Sequence, residues 1–280
     1  MVILTLNWRR RKHRQAQKMP ARPRRWKILT FSALALLVAA VSYLLLPYGD
    51  VVVENNIDAE KVMQMTEAVT AAPGTAQPIY RANISDKKVA LTFDISWGEK
   101  MPPKVMDILR QKELCCTFFI SGPWTKKHPE TVRQLVSDGH EIASHGHSHV
   151  NFSSLSRAGV AANIKNAHDA IKEVAGVEAK YIRPPNGDFN SVSLEVTKEN
   201  GYETIIWSLD SLDWKNPGVQ AIIERLLTRV KPGDIILMHA SDTCQQTDSA
   251  LPQVIEGISA QGFEFVTVSD LLRLQEAKAE

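Results

Sequence analysis

No aspartate or glutamate occurs before Asp50, although the 280-residue chain holds 31 of them. The same stretch is crowded with the opposite sign. Arg9, Arg10, Arg11, Lys12, Arg14, Lys18, Arg22, Arg24, Arg25 and Lys27 place ten basic residues within the first 27. The remainder carries 23 basic against 31 acidic residues, so an overall charge of +2 conceals a body of net −8. A basic head on an acidic body is not the footprint of a nucleic-acid-binding domain, which concentrates positive charge on its folded surface. Cysteine is also scarce. Cys115, Cys116 and Cys244 cannot build a disulfide framework. They leave either one long-range bridge from Cys244 or free thiols without a catalytic role, and free thiols are the expectation. No internal repeat or long low-complexity tract is present.

An apolar run directly after the basic head explains it. Ile28 to Leu46 is a 19-residue run without charge, interrupted by Thr30, Ser32 and Ser42 and closed by Pro47-Tyr48-Gly49. About 20 apolar residues at a rise of ~1.5 Å cross a bilayer core. Trp26, Tyr43 and Tyr48 stand where interfacial aromatic anchors stand. Lys and Arg on the N-terminal side place residues 1–27 in the cytoplasm and the bulk of the chain outside. The alternative is a cleaved secretion signal, whose apolar region is usually about 7–15 residues and ends at an A-x-A-like site. No such site lies beyond Leu46, so an uncleaved anchor over 28–47 is expected: a single-pass cell-membrane protein with an extracellular domain. Either way the body is exported.

Residues 48–84 read as a stalk. They contain one possible short helix (60–69) and the spacer-like run Ala71-Ala72-Pro73-Gly74-Thr75-Ala76-Gln77-Pro78. From 85 to 280 short apolar runs alternate with amphipathic stretches. Strands are expected at 88–93, 115–120, 140–144, 179–183, 203–207, 234–238 and 263–267. Helices are expected at 101–112, 126–138, 153–175, 191–200, 216–230, 247–261 and 268–278. This alternation argues for parallel βαβ units. Doubly wound sheets share it, but they gather their site at one crevice. Here at least five strands end on ionisable residues, which favours a distorted (β/α) barrel of about seven parallel strands with its site at the C-terminal mouth.

Those strand ends carry the chemistry. His145 and His149 are four apart, a spacing that sets two imidazoles on one face of a helical turn and suits a divalent cation. The bland alternative is a solvated histidine-rich loop, yet four of the chain's eight histidines fall between His140 and His149. Asp94 ends an apolar strand. Alone it reads as a cap; beside a histidine pair, an arginine and a second histidine it reads as a general base. His239, after Ile235-Ile236-Leu237-Met238, is the matching general acid. Arg183, on the turn stiffened by Pro184-Pro185, can hold Asp94 ionised. Asp213 can orient His239, and Trp214 offers an indole wall for a sugar.

Taken in order, Thr92-Phe93-Asp94, Ser144-His145-Gly146-His147-Ser148-His149, Arg183-Pro184-Pro185-Asn186-Gly187, Asp210-Ser211-Leu212-Asp213-Trp214 and Leu237-Met238-His239 resemble the five motifs of the polysaccharide deacetylases. That family is the NodB-homology group, carbohydrate esterase family four. The resemblance covers about residues 85–272. The run Thr92 to Gly98 and the anchor also look like the membrane-anchored, sporulation-associated subgroup of Gram-positive bacteria. The resemblance implies a NodB-type distorted barrel and metal-dependent release of acetate from N-acetylhexosamine polymers. It assigns Asp94 as base with Arg183 beside it, His145 and His149 as ligands of a divalent metal (Zn, with Co as an alternative), and His239 as acid supported by Asp213. It places the oxyanion near the backbone N–H of Asn186, where the family usually has Tyr. One departure bears on the chemistry: Ile95 stands where the family has a second Asp, its third metal ligand. Weaker metal affinity is expected, and an Ile95→Asp change is expected to tighten it.

The leading reading is therefore a membrane-anchored deacetylase of peptidoglycan or a chitin-like glycan, held to the membrane by residues 28–47 and binding no nucleic acid. The rival is a non-catalytic or weakly active wall-binding protein that keeps the fold but has lost the third ligand. A third possibility is a metal-dependent hydrolase of another amide.

Overall fold

The computed structural model describes residues 76–277. The basic segment 1–27, the anchor expected over 28–47 and most of the stalk lie outside the described residues, and among those described no helix is long and apolar enough to cross a membrane. Eight strands occur in chain order: β1 (Lys88–Ile95), β2 (Thr117–Ile120), β3 (Glu141–Ser144), β4 (Tyr181–Ile182), β5 (Glu203–Thr204), β6 (Leu209–Asp210), β7 (Ile235–His239) and β8 (Glu264–Val266). Every ladder between them is parallel. Hydrogen bonding runs β5-β4-β3-β2-β1-β7-β6, with β8 beside the first residues of β1. Because β5 and β6 belong to one run of chain, the path begins and ends on the same segment. The sheet thus curls into an incomplete, distorted barrel, and the seven expected strand regions each hold a strand. The expected strand 203–207 is shortened because Ile205 to Ser208 leaves β4 and crosses to β7, where β6 pairs.

β1 shows how the two faces are divided. Val89, Leu91, Phe93 and Ile95 enter the apolar layer beneath the helices, whereas Ala90 joins the small inner cluster and Asp94 points to Arg183. The period of two in a strand dictates this alternation. The outer layer is completed by α1 (Met101–Gln111), α2 (Gly122–Lys127), α3 (Pro129–Ser137), α4 (Arg157–Ala175), α5 (Ser191–Glu199), α6 (Val219–Arg229), α7 (Thr247–Ala260) and α8 (Val268–Glu276). Leu109, Leu135, Ile164, Ile171, Leu226 and Val254 are buried there, each contributing about 1.5–3 kcal/mol of transfer free energy. The helix expected at 126–138 is divided at His128, whose backbone (φ −125°, ψ 53°) leaves the helical region because Pro129 comes next. α4 starts at Ser156, whose Oγ accepts from the Gly159 N–H, and stops at Gly176 in the left-handed conformation (φ 68°).

The stalk expected over 48–84 ends sooner than its composition suggests. Ile79 exchanges backbone hydrogen bonds with Thr204 and Ile206, Ala82 N–H donates to Gly233, and Arg81 pairs with the buried Asp234. Residues 79–84 are therefore part of the folded domain, filling the space between β5 and the start of β7.

His140, just before β3, is structural. Its Nδ1 accepts the Cys116 N–H (3.2 Å) and its ring lies against Phe118. Burial pushes its pKa down to about 4, so the folded state keeps it neutral while the unfolded chain protonates near pH 6.5. Protons then bind the unfolded state preferentially between pH 6.5 and 4, and stability falls across that window as pH is lowered. The loss at pH 4 is on the order of 2–3 kcal/mol. His140→Gln keeps an acceptor for Cys116. Its urea midpoint is expected to fall less between pH 7 and pH 4 than that of the parent; equal falls would remove His140 as the cause.

Candidate active site

The C-terminal ends of β1, β3, β4, β6 and β7 meet around one cleft of about 360 Å³, lined by Asp94, His145, His149, Asn186, Trp214 and His239 among others. Arg183, just beyond β4, is completely buried behind Asp94. Arg183 Nη1 donates to Asp94 Oδ1 at 2.6 Å and to Thr92 Oγ1 at 3.0 Å, and Nη2 donates to the Ile206 carbonyl at 2.9 Å. Its guanidinium also lies 4.0 Å from the Phe119 ring centroid. Burial alone would raise the Asp94 pKa, but Arg183, followed by His145 and His239, outweighs it and holds the carboxyl below its ordinary range. Asp94 is thus an ionised carboxylate with Oδ1 committed and Oδ2 turned to the cleft.

His145 is buried, and its Nδ1 lies 2.9 Å from the Arg183 carbonyl. A carbonyl only accepts, so Nδ1 carries the proton and Nε2 bears a lone pair. Burial pushes the His145 pKa down to about 4, which keeps the ring neutral. Nε2 faces Asp94 Oδ2 at 3.7 Å: two acceptors confront each other. The His149 ring lies 5.3 Å from that of His145, and burial lowers its pKa as well. The pair does not share a helical turn as its spacing suggested. Residues 145–149 form a loop. Gly146 sits at φ 72°, where a Cβ would come within 2.7 Å of Asn163 Oδ1. Asn163 in α4 accepts the His147 N–H and donates to the Ser148 carbonyl, which fixes the loop.

These residues fit a divalent cation. Two neutral imidazoles, one oriented through its other nitrogen by a backbone carbonyl, and a carboxylate oxygen facing a nitrogen lone pair make a donor set for such an ion. Ser96 Oγ, on the same cleft, is buried without a hydrogen-bond partner and adds a neutral oxygen. Ile95 adds nothing. β1 continues through it, its carbonyl accepts the Ser121 N–H, and its side chain is fully buried in the layer beneath the helices. Where the family has its third ligand, Ile95 thus presents no donor to the cleft.

At the end of β7, His239 Nδ1 lies 2.7 Å from Asp213 Oδ1. Asp213 is fully buried, and its Oδ2 accepts the His239 N–H and the Thr247 hydroxyl, both at 2.8 Å. Burial would lower the His239 pKa, but the Asp213 hydrogen bond and charge, with Asp94 and Asp210 behind them, raise it above its ordinary value. Asp213 thus favours the protonated ring and, by engaging Nδ1, leaves Nε2 for the cleft. Cys244 lies close to both groups. With Asp213 committed to three donors and burial pushing the Cys244 thiol up to about 12, this trio reads as an acid with its orienting carboxylate and not as a second cation cage. All three cysteines are free.

Asn186 takes the left-handed conformation (φ 60°) in the turn Pro185–Gly187, and its Nδ2 donates to Asn151 Oδ1. Trp214, 49% exposed, stands on the turn after β6 with Nε1 directed to Asp210 Oδ2. Trp97, Trp207, Ser241 and Thr243 also line the cleft and were not foreseen. Trp97 carried the same signal as Trp214, an aromatic residue just beyond a strand that ends in a carboxylate.

A family profile described as polysaccharide deacetylase matches residues 81–205. The chain is 35% identical over 192 residues to a peptidoglycan-N-acetylglucosamine deacetylase of Bacillus cereus, covering 68% of this chain and 90% of that one. It is 29% identical over 196 residues to the uncharacterized protein YlxY of Bacillus subtilis, of which it spans 60%. Among solved structures it is similar to BA3943 of Bacillus anthracis, described as a CE4 family pseudoenzyme, with a TM-score of 0.67, 27% identity, and coverage of 70% of this chain and 69% of that one. A BA3943 mutant with restored enzymatic activity superposes equally well (TM-score 0.67).

Proposed function

Because the chain belongs to the polysaccharide deacetylase family, we propose that it hydrolyses N-acetyl groups of a cell-wall glycan, peptidoglycan or a related N-acetylhexosamine polymer. The observation that carries this reading is the paired polarisation of the cleft: Arg183 favours the ionised form of Asp94, and Asp213 favours the protonated form of His239. Two groups whose surroundings drive their pKa values apart are the base and acid of one reaction. His145 and His149 would hold the divalent metal, zinc or cobalt, with Ser96 Oγ and the charge of Asp94 beside them. Bound there, the metal supplies Lewis-acid polarisation of the acetamide carbonyl.

The protein's own groups do the rest. Asp94 Oδ2 takes a proton from the attacking water while Arg183 keeps Oδ1 fixed. The turn at Asn186 presents backbone to the developing oxyanion. His239 Nε2 protonates the departing nitrogen, and Asp213 stabilises the imidazolium until that transfer. The products are acetate and a free amine on the sugar. The basic head and the apolar run 28–46 support export and anchoring at the cell membrane, which would bring the domain to the wall.

A second reading, a wall-binding protein with little or no turnover, is favoured by Ile95, which withholds a third anionic ligand, and by the likeness to a pseudoenzyme. Acetate release by the full chain from N-acetylated peptidoglycan and chitooligosaccharides, with zinc or cobalt and with chelator, separates the two. Metal-dependent release is expected, and His239→Ala is expected to lower it at least about a hundredfold with folding retained. No release from folded protein on any of these glycans would favour the second reading. Unchanged release by His239→Ala would remove the acid assignment.

A further inference from the structure

Among the described residues the two most exposed large apolar side chains are both tryptophans on this cleft, Trp214 at 49% and Trp97 at 45%. Trp97 is not a loose loop residue. Its Nε1 donates to Thr243 Oγ1 (3.1 Å) and its ring meets His149 edge-on with centroids 5.0 Å apart. The loop that carries it is fixed from two directions. Trp124 of α2 donates to the Gly98 carbonyl (2.8 Å), and the Asp242 carboxylate accepts the N–H groups of Glu99, Lys100 and Met101 at 2.8–3.1 Å. Those backbone bonds outweigh burial and hold Asp242 below the ordinary carboxylate range. An indole whose N–H is satisfied and whose ring is held against His149 still leaves about half of a large apolar surface unburied, an arrangement that lowers the ordering cost of a ligand stacking there.

The topology sets where that face stands. β7, ending in His239, lies between β1 and β6 in the sheet. Trp97 leaves the end of β1 and Trp214 stands just past the end of β6, so the two indoles rise on either side of the His239 strand. The cleft itself, about 360 Å³, is at the small end for a ligand site. A polymer must therefore extend beyond it, over its rim.

We propose that Trp97 is a stacking platform for the sugar ring adjacent to the one whose acetamide is attacked, so that the site selects a chain of N-acetylhexosamines over the single sugar. This rests on the deacetylase reading and deepens it. The apolar face of a pyranose, with its axial C–H groups, is the ligand chemistry that an exposed indole plane accepts, and the indole N–H is already bound to Thr243.

The test is equilibrium binding of chitotetraose and of N-acetylglucosamine to the full chain carrying His239→Ala, so that turnover does not consume the ligand. Adding Trp97→Ala is expected to weaken chitotetraose binding about tenfold and leave the monosaccharide within about twofold. Trp97→Phe loses the Thr243 hydrogen bond but keeps an aromatic face, and is expected to recover most of the affinity. Chitotetraose bound equally with and without the Trp97 ring, in protein of unchanged melting temperature, would overturn the platform and leave the deacetylase reading intact. Equal weakening in the Ala and Phe variants would also overturn it, because the loss would then track the Thr243 bond. Failure of the parent to bind either glycan would overturn the substrate class, and the platform with it.

Discussion

Arg183→Met is expected to destabilise the protein by about 3–5 kcal/mol and to abolish acetate release, because it strands a buried charge. Arg183 has no exposed surface and Asp94 has almost none. Their contact therefore lies where water cannot replace the lost partner. Methionine restores most of the apolar stem against Phe119 but none of the donors to Asp94, Thr92 or the Ile206 carbonyl. Asp94 then keeps only the histidines nearby, its pKa rises with burial, and at neutral pH it either ionises at high cost or takes up a proton. The second outcome removes the base. Breaking a buried pair from one side costs more than removing both members, so Arg183→Met with Asp94→Ala should be more stable than Arg183→Met alone, though equally inactive. Urea unfolding of the three proteins checks this. A single Arg183→Met change within about 1 kcal/mol of the parent would show that the pair is not held in a low-dielectric site.

Much of this arrangement was legible in the sequence, for a physical reason. A parallel barrel brings the C-terminal ends of its strands to one mouth, so a polar residue closing each apolar run carries three-dimensional information. Asp94, His145, His149, Asn186, Trp214 and His239 line one cleft and Arg183 and Asp213 lie directly behind it, as that pattern suggests. What was not legible depended on local backbone. The four-residue spacing of His145 and His149 resembles a helical turn, but Gly146 at positive φ and the side chain of Asn163 make it a loop. The break of the expected helix 126–138 was readable from Pro129. The start of the domain at Ile79 was not, because a lone bridge to Ile205 depends on a partner far along the chain. Trp97 carries in the sequence the signal that marks Trp214; what only the fold supplies is its anchors, Thr243, Trp124 and Asp242.

The sidedness of β1 supplies the sharpest remaining test of position 95. Family resemblance alone makes Ile95→Asp a repair of the metal site. In the fold, Val89, Leu91, Phe93 and Ile95 share the face beneath the helices, and Asp94 is on the other. Ile95→Asp therefore gives up about 1.5–3 kcal/mol of apolar burial. It also leaves a carboxyl without partners among hydrocarbon, at a further cost of roughly 1–3 kcal/mol. The expected result is a loss of about 3–5 kcal/mol in urea unfolding without metal, with zinc affinity within about twofold of the parent. Unchanged affinity would mean that His145, His149 and Ser96, beside the Asp94 charge, hold whatever ion the protein uses, and that activity or its absence depends on that set alone. Zinc bound tenfold or more tightly would show instead that an aspartate draws the chain after Asp94 out of the strand and into the cleft. Ile95 would then be the residue that keeps β1 extended, and the non-catalytic reading would gain its physical cause: a ligand lost to the core.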